Sequence, residues 1–586
     1  MTAIQDYQYG PLANDDNTRF IQLYPATHFQ DPIRVDIIER AYDASKTHDS
    51  ISYEALSYTW GSDTDSAYIF VGANSRLRVR RNVTNILRYL RGGVAPGCTV
   101  RTLWIDAVCI NQEDNNEKGK QVTVMGEIYA CATSVLIWTG EPGSDLQALQ
   151  EHYTSKEATE WHDEKVILLM QFFETGWFTR RWVVQEIMHA REAHIICGNG
   201  TMDWQKFRSF VRILSHGVMN DALTPGVVAI LRHLNNLAAV RNAEYQKPSL
   251  DNDGASATEG DDQALRSGSM ITLLVRYSTT ECADDRDRIY ALRSLSSTPI
   301  TVDYQITAAE LYNHLSLNEV IRCPMAVLSC AGAFGASEFS WVPNWKLPMR
   351  YTPFSSSLNM QYSTPSVGKE LVSLRDCSLT IKARFCGLVE SVVDPDDNTL
   401  GPHQILHKWG HYFAEYNRKR MPELNSADGK TLFCTLSVTY IEPDMMGLSE
   451  PSPYRRELQT LSPKLLRHFD TTETNMRSTV MVLGAAHLMG LGHTKRGRSC
   501  FFTNGRQFGL GPDSIQIGDW IVSMLECDSM LVLRPLPVEQ NIEQTYGDMG
   551  PSQHPAMTVV GDCWIPGLIK SNRQNTESHL RTFYIV

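Results

Sequence analysis

Strand-like and helix-like segments alternate through the first 200 residues of this 586-residue chain. Strands are predicted where short apolar runs occur, and helices where apolar side chains recur every three or four residues, as at Val83, Ile86 and Leu90. In chain order, the predicted elements are a strand at 54–58, a helix at 83–90, a strand at 100–105, a helix at 118–132, a strand at 135–138, a helix at 178–190 and a strand at 194–197. Such alternation is typical of βαβ units and predicts an α/β domain whose parallel sheet is covered by helices.

The C-terminal region has a different pattern. Apolar residues alternate with polar ones at Leu379, Ile381, Ala383 and Phe385, and again at Ile515, Ile517, Trp520, Val522 and Met524. A period of two predicts strands with one buried face, so we expect a β-rich α+β region here. Between the two regions, residues 248–269 are acidic, rich in Gly and Ser and nearly free of large apolar side chains, which predicts a flexible linker. The predicted divisions are an N-terminal extension at 1–50, a first domain at 51–247, the linker at 248–269, a helical or irregular extension at 270–370 and the β-rich domain at 371–586.

The composition limits which partners and which cellular compartment are expected for this chain. The net charge is −12 and the pI is about 5.8, so the chain has no basic footprint for nucleic acid, and neither DNA nor RNA is an expected partner. The longest apolar stretch, 480–491, is too short to span a bilayer, and the first residues lack the features of a secretory signal. Thirteen cysteines without a CxxC pair or matching histidine spacing favour reduced thiols over disulfides or a metal site. The expected compartment is the cytoplasm.

Three aromatic-rich motifs occur in order: YEALSYTWG at 53–61, LWIDAVCINQ at 103–112 and RRWVVQE at 180–186. Together they resemble the fungal heterokaryon incompatibility (HET) domain, and the block from the second motif through SVLIWTG at 134–140 has the order and spacing of that family. The segment ECADDRDRIYAL at 281–292 is similar to a segment that closes many HET domains, with Asp285 where proline is usual. The resemblance implies a cytoplasmic effector of allorecognition or cell death.

A more distant resemblance bears on mechanism. The first two motifs are similar to the first two strands of TIR domains, and Trp182 with Glu186 resembles the W-x-x-x-E word of their third helix. This resemblance implies a TIR-like, flavodoxin-like parallel sheet. It also nominates Glu186 as the carboxylate that cleaves the bond between nicotinamide and ribose in NAD, which would be a substrate and not a cofactor. A carboxylate suits that role because the ribosyl transition state carries positive charge.

In open α/β sheets a ligand lies beyond the carboxyl ends of the strands, so the turns after the predicted strands are the candidate binding site for a nucleotide-type small molecule. Asp106, at the end of an apolar strand, is the second candidate catalytic residue, and Trp60 is the best candidate for stacking on a base. The candidate substrate-binding residues are Ser57, Tyr58, Trp60, Gly61, Asn111, Gln112 and Trp182. We expect Trp60, Asp106 and Glu186 to converge on one site.

Each candidate has a structural alternative. Glu186 can instead form an ion pair with Arg180, Arg181 or Arg191 on a solvated helix face. The tryptophans can be core residues, and Asp106 and Asn111 can be turn or cap residues. Cys109 has no histidine in its motif to activate it, so it is expected to be buried.

Three functions remain open from the sequence. The first is an effector enzyme that cleaves NAD. The second is a non-enzymatic module that signals through a protein partner or self-association. The third is the same scaffold recruited as an enzyme for another small molecule. A concave pocket around Glu186 favours an enzyme, whereas a flat exposed helix favours the interaction module.

Overall fold

The computed structural model describes residues 4–43, 51–62, 64–91, 100–140, 170–216, 230, 234, 269–353, 372–375, 378–393, 497–505, 507–524, 530–537, 555–563, 565 and 580–586. The chain divides into two compact units, 1–307 and 308–586. Residues 248–268 of the predicted linker lie outside the described residues, so its flexibility stays a prediction. None of the helices among the described residues is long and apolar enough to cross a membrane.

The first unit contains a ten-stranded sheet with helices. Its strands are β1 Gln5–Asp6, β2 Asn17–Leu23, β3 Arg34–Ala41, β4 Glu54–Ser57, β5 Ser66–Val71, β6 Ser75–Arg80, β7 Arg101–Trp104, β8 Ser134–Gly140, β9 Ala193–Cys197 and β10 Gly200–Asp203. Its helices are α1 Arg81–Leu90, α2 Asp106–Cys109, α3 Asn115–Cys131, α4 Val183–His189, α5 Trp204–His216, α6 Met270–Arg276 and α7 Asp287–Tyr290, followed by a 3₁₀ turn at Arg293–Leu295. The strand order in the sheet is β1-β6-β5-β3-β2-β7-β4-β8-β9-β10.

Four neighbouring strands, β7, β4, β8 and β9, are parallel and confirm the predicted α/β core. Every residue of β8 except Gly140 is buried, as expected for a central parallel strand that is covered on both faces. Trp104 on β7 and Trp138 on β8 are both buried, as the structural alternative for the tryptophans predicted. The order of these four strands and of the helices between them could therefore be predicted from hydrophobic periodicity, whereas the antiparallel pair β5 and β6, which lies between the first predicted strand and the first predicted helix, was not predicted.

The sheet is mixed, in contrast to the all-parallel sheet that the sequence predicted. β2 and β3 form an antiparallel hairpin, and β2 also pairs antiparallel with β7. This hairpin lies within 1–50, a segment for which no strand was predicted. The neighbouring residues Phe20 and Ile21 are both buried, so β2 lacks the alternation that indicates a strand with one solvent-exposed face. The finer, TIR-like form of the sheet that the second resemblance implies stays a prediction.

Two helix starts differ from the prediction for identifiable reasons. α3 begins at Asn115 because the carboxylate of Asp114 accepts hydrogen bonds from the backbone N–H groups of the first turn. α4 begins only at Val183, five residues later than predicted from 178. The residues before it form turns in which Trp177 and Phe178 pack edge to face, and this tertiary packing takes the place of a longer helix.

The second unit contains two helices and eight described strands. The helices are α8 Ala308–Val320 and α9 Pro324–Phe334, and the strands are β11 Val372–Arg375, β12 Ser378–Val393, β13 Arg498–Thr503, β14 Phe508–Pro512, β15 Trp520–Ser523, β16 Met530–Pro535, β17 Ala556–Cys563 and β18 Arg581–Ile585. The long β12 pairs with β15 and with β18, so β12, β15, β16, β17 and β18 close into a ring. The predicted β-rich region is confirmed.

The alternation of residue types predicted some of the side chains that are buried in this ring of strands. Leu379, Ile381 and Ala383 on β12 are all buried, as the period of two predicted. Ile517 is different, because it is 71% exposed. It lies in the turn before β15, next to Gly518, whose φ of +92° belongs to a turn and not to a strand. The predicted alternation was therefore wrong at Ile517, and Phe385 and Trp520 of the same sets are only partly buried.

Candidate functional site

The three motifs meet at the carboxyl ends of two central strands of the first unit's sheet, β4 and β7. YEALSYTWG forms β4 and the turn after it, and LWIDAVCINQ forms β7, α2 and the following loop. Because β4 and β7 are parallel neighbours, their carboxyl ends lie side by side, and they bring Ser57 close to Asp106. RRWVVQE forms the turn before α4 and its first residues, so it supplies Arg180 and Glu186 to the same place.

Arg180 joins the two candidate catalytic carboxylates. Its Nη1 donates to Oε1 of Glu186 at 2.8 Å, and its Nη2 donates to Oδ2 of Asp106 at 3.3 Å. The exposed fractions of the Arg180, Asp106 and Glu186 side chains are 15%, 7% and 0%. Two carboxylates therefore share one guanidinium group in a nearly dry environment, where the attraction between charges is stronger than at a surface.

The second oxygen of Glu186 is also occupied. The Ser57 hydroxyl donates a short hydrogen bond to Oε2, and the indole N–H of Trp177 donates to the Ser57 oxygen at 2.8 Å. Trp177 and Glu186 are both fully buried. Each oxygen of Glu186 thus has a donor, and the carboxylate has no face open to solvent.

Asp106 connects the buried pair to the surface. Its Oδ2 also accepts from the indole N–H of Trp60 at 2.8 Å, and its Oδ1 accepts from the backbone N–H of Ala107 at 2.7 Å. The guanidinium carbon of Arg80 lies 4.8 Å from the centroid of the partly exposed Trp60 ring. We call the linked residues Ser57, Trp60, Asp106, Trp177, Arg180 and Glu186 the Arg180 network.

Burial and the neighbouring charges shift the pKa values of Glu186 and Arg180 in opposite directions. Burial raises the pKa of the Glu186 carboxyl, and the Arg180 charge and the Ser57 hydroxyl oppose that rise. Burial lowers the pKa of Arg180, but Glu186 and Asp106 more than offset this effect, so its pKa lies above the ordinary value. Burial, followed by the charge of Asp106, raises the pKa of the neighbouring Tyr58 phenol, which therefore stays neutral. Arg180 is consequently always positively charged, and it pairs with the carboxyl groups of both Glu186 and Asp106.

The remaining candidate binding residues occupy different surroundings. Gly61 is exposed, with a φ of +77°. The side-chain amide of Gln112 donates to the backbone carbonyl of Asp106 at 3.0 Å, and the backbone N–H of Asn111 donates to Glu117 at 2.7 Å. These contacts hold the loop after α2 against α3 and beside the Arg180 network. They are turn contacts of the kind that the structural alternative predicted, and binding roles for these residues stay predictions.

Trp182 contacts a second buried carboxylate instead of the Arg180 network. Its indole N–H donates to Oδ2 of Asp287 at 3.1 Å, and the Tyr304 hydroxyl donates to Oδ1 at 2.8 Å. Burial raises the pKa of Asp287 to about 6 despite these hydrogen bonds. Asp287 and Tyr304 lie after the predicted linker. The RRWVVQE motif therefore contacts residues of the first unit on both sides of that linker.

Arg180 was predicted only as an alternative partner of Glu186, and Trp177 was not among the candidate residues. The ion pair with Arg180 is present, but it is buried and not on a solvated helix face. Arg181 instead donates to the backbone carbonyls of Tyr277 and Arg288, both at 2.8 Å. Cys109 is buried as expected, and burial raises the pKa of its thiol to about 12. The catalytic roles assigned to Glu186 and Asp106 stay predictions.

Comparison with known proteins places all six residues of the Arg180 network inside one family match. Residues 53–186 match the family model described as heterokaryon incompatibility protein (HET). A similar protein is heterokaryon incompatibility protein 6, OR allele, of Neurospora crassa, with 30% identity over 243 residues that cover 33% of this chain and 35% of the relative. The chain thus spans about a third of the length of that relative. No solved structure matches the chain.

Proposed function

Because residues 53–186 match the HET family model, we propose that the chain is an effector of heterokaryon incompatibility, in which recognition of non-self leads to growth arrest or cell death. The name of the Neurospora crassa relative supports this proposal. The placement of the Arg180 network supports it as well. The network is built entirely from residues of the family match and links its first and last motifs.

We further propose that the HET domain acts by binding a protein partner or another copy of itself. The observation that carries this choice is the enclosure of Glu186, which is 0% exposed and has a donor on each carboxylate oxygen. A catalytic carboxylate must reach its substrate, whereas a buried ion network can hold a recognition surface in one shape. The Arg180 network then serves to fix the turns after β4 and β7 at the domain surface.

Expression of the full chain in Neurospora crassa from an inducible promoter tests the effector role. We expect growth arrest or loss of viability with the intact chain, and a weaker effect with Glu186→Gln, which removes one charge from the Arg180 network. The matched control is Glu174→Gln, because Glu174 is an exposed glutamate near the same motif. Normal growth of cells that contain the intact full-length protein would contradict the proposal.

NAD cleavage is the second candidate function. The observation that favours it is the position of Asp106 and Trp60, which lie at the carboxyl ends of parallel strands, where α/β sheets bind ligands. The reaction at Glu186 would require its contact with Ser57 or Arg180 to open first. No observation favours an enzyme for another small molecule over these two functions.

Purified full chain incubated with NAD separates the two candidates. An NAD-cleaving enzyme would release nicotinamide, and Glu186→Gln would lower turnover by orders of magnitude while the variant stays folded. Glu174→Gln would keep full turnover. We expect no nicotinamide release if the interaction role is correct, and steady release that depends on Glu186 would overturn that role.

A further inference from the structure

The edge of the ten-stranded sheet at β6 is only partly covered. β1 pairs with Ser75 and Arg76, and no strand among the described residues pairs with the rest of β6 on that side. The backbone N–H of Tyr7 donates to the carbonyl of Arg76 at 2.8 Å, so the Arg76 backbone faces this edge. Backbone groups of residues two apart in a strand face the same side, so the N–H and carbonyl of Arg78 face it too. The edge therefore continues beyond β1 with groups able to pair.

The side chains beside this edge form a basic surface. Arg76, Arg78 and Arg80 alternate along β6 and lie on one face, whereas Val79 is buried on the other face, where α1 packs on β6. Tyr68 on β5 is paired with Arg78 in register and is 45% exposed. This surface is positive although the chain as a whole has a net charge of −12. Charge complementarity thus selects an acidic occupant.

β1 itself shows how such an occupant would lie. Asp6 is the register partner of Arg76, and its Oδ1 accepts from Nε of Arg76 at 2.9 Å. An extended segment that continued in this register would place every second side chain beside Arg78 and then Arg80. The Nε of Arg78 donates to the Ser66 hydroxyl at 2.9 Å and Nη1 of Arg80 donates to the Gly61 carbonyl at 3.0 Å, so carboxylates at those positions would pair with the other N–H groups of the two guanidinium groups.

We propose that the open edge of β6 binds an extended acidic segment of a partner protein by strand addition, with carboxylates at alternate positions that pair with Arg78 and Arg80. In this mode main-chain hydrogen bonds supply affinity, while the charges set register and select the partner. Binding at this edge does not depend on the effector role or on any reaction at Glu186. A nucleic acid would contact the arginine side chains without pairing with the backbone of β6, so the experiment can distinguish nucleic-acid binding from strand addition.

Fluorescence anisotropy with the full chain tests the proposal. The probe is a labelled peptide of about eight residues in which Glu and Thr alternate, compared with a Lys and Thr peptide of equal length. We expect binding of the acidic peptide only. Arg78→Glu should weaken it by about tenfold or more, because the change reverses the charge beside the bound strand. Arg78 is chosen because Arg80 also stacks on Trp60.

The matched control is Lys206→Glu, which makes the same charge change on α5, directly after the strand at the far end of the sheet. It should leave the affinity unchanged. An acidic peptide that fails to bind, or that binds equally well to Arg78→Glu, overturns the proposal.

Main-chain pairing is tested by comparing Arg78→Pro with Arg78→Ala. Both changes remove the charge, but proline also removes the N–H that faces the open edge and not β5. We expect weaker peptide binding by Arg78→Pro than by Arg78→Ala, with thermal unfolding recorded for each. Equal affinity of the two folded variants, or tighter binding of an oligothymidylate of equal charge, would overturn strand addition. If Arg78→Pro does not fold, the charge-reversal comparison decides alone.

Discussion

At the scale of single residues, Arg180 is the cation that pairs with both buried carboxylates of the Arg180 network. It is the shared partner of Glu186 and Asp106, whose side chains are 0% and 7% exposed. Removing it leaves two buried carboxylates without their cation. Such a change should lower the free energy of unfolding by more than the loss of a surface ion pair does, which is about 0–1 kcal/mol.

We predict that Arg180→Met lowers the free energy of unfolding by about 3–5 kcal/mol, because it leaves buried charge uncompensated. Glu186→Gln should lower the free energy of unfolding less, by about 1–3 kcal/mol, since Arg180 keeps its contact with Asp106 and the new amide oxygen can still accept from Arg180. Urea unfolding measures both, with Glu174→Gln as the control.

The double variant Arg180→Met with Glu186→Gln should cost less than the sum of the two single changes, because the residues interact directly. Additive costs would show that the ion pair contributes nothing to stability, and the Arg180 network would then need another explanation.

Asp287 provides a pH-dependent prediction at the same scale. Burial raises its pKa from 3.8 to about 6, so between those values the folded state holds more of this proton than the unfolded state does. The stability that Asp287 contributes is complete below pH 3.8 and is lost as the pH rises through about 6.

We therefore predict that the stability of the intact chain relative to Asp287→Asn falls by about 2–3 kcal/mol between pH 4 and pH 7, since one pKa unit corresponds to about 1.4 kcal/mol. Chemical unfolding at a series of pH values measures the difference, and Asp15→Asn, at an exposed carboxylate, is the control. A difference that is independent of pH, or that grows with pH, contradicts the assignment.

At the scale of elements, the position of α3 depends on a glycine. A Cβ atom at Gly126 would lie 2.7 Å from Cβ of Ser294 and 3.0 Å from Nε2 of His189, so only glycine lets the helix approach this closely. On the same helix, a Cβ at Gly119 would meet its nearest atom, the carbonyl oxygen of Val302, at an ordinary 3.6 Å.

We predict opposite effects for alanine at these two positions. Gly126→Ala should destabilise the chain by about 1–3 kcal/mol through overpacking, although alanine favours helices. Gly119→Ala should raise stability by up to about 1 kcal/mol, because it meets no close contact and gains helix propensity. Thermal unfolding of both variants measures this, and equal shifts in one direction would mean that the packing of α3 is not as described.

At the scale of the whole molecule, the first unit is assembled from parts of the chain on both sides of the predicted linker. Arg181 donates to the carbonyls of Tyr277 and Arg288, and Trp182 donates to Asp287. These contacts are largely buried, and they bind the region before residue 217 to the region after residue 268.

We predict that limited proteolysis cuts first within 248–269 and that the two fragments remain together in size-exclusion chromatography. The composition of the segment favours cleavage, and the contacts of Arg181 and Trp182 favour retention. Arg181→Met, which removes donors to two buried carbonyls, should promote separation of the fragments. Fragments that separate without any substitution would show that the post-linker segment is not an integral part of the unit.

The sequence by itself determined the four parallel strands of the first unit's sheet, the β-rich character of the second unit and the match of residues 53–186 to the HET family model. Periodicity and local motifs carry that information, because buried parallel strands and amphipathic helices repeat at characteristic spacings. It also placed Ser57 and Asp106 at the ends of two neighbouring strands and predicted that Asp106 and Glu186 lie in one site.

Only the tertiary structure decided what surrounds those residues. Whether Glu186 faces solvent, substrate or Arg180 depends on turns such as the one at Trp177, whose course no local pattern specifies. The same holds for β2, which is recognisable as a strand only through its pairing with β3 and β7. Local spacing determines which elements form, whereas burial and ion pairing depend on long-range contacts between segments that are distant in the chain.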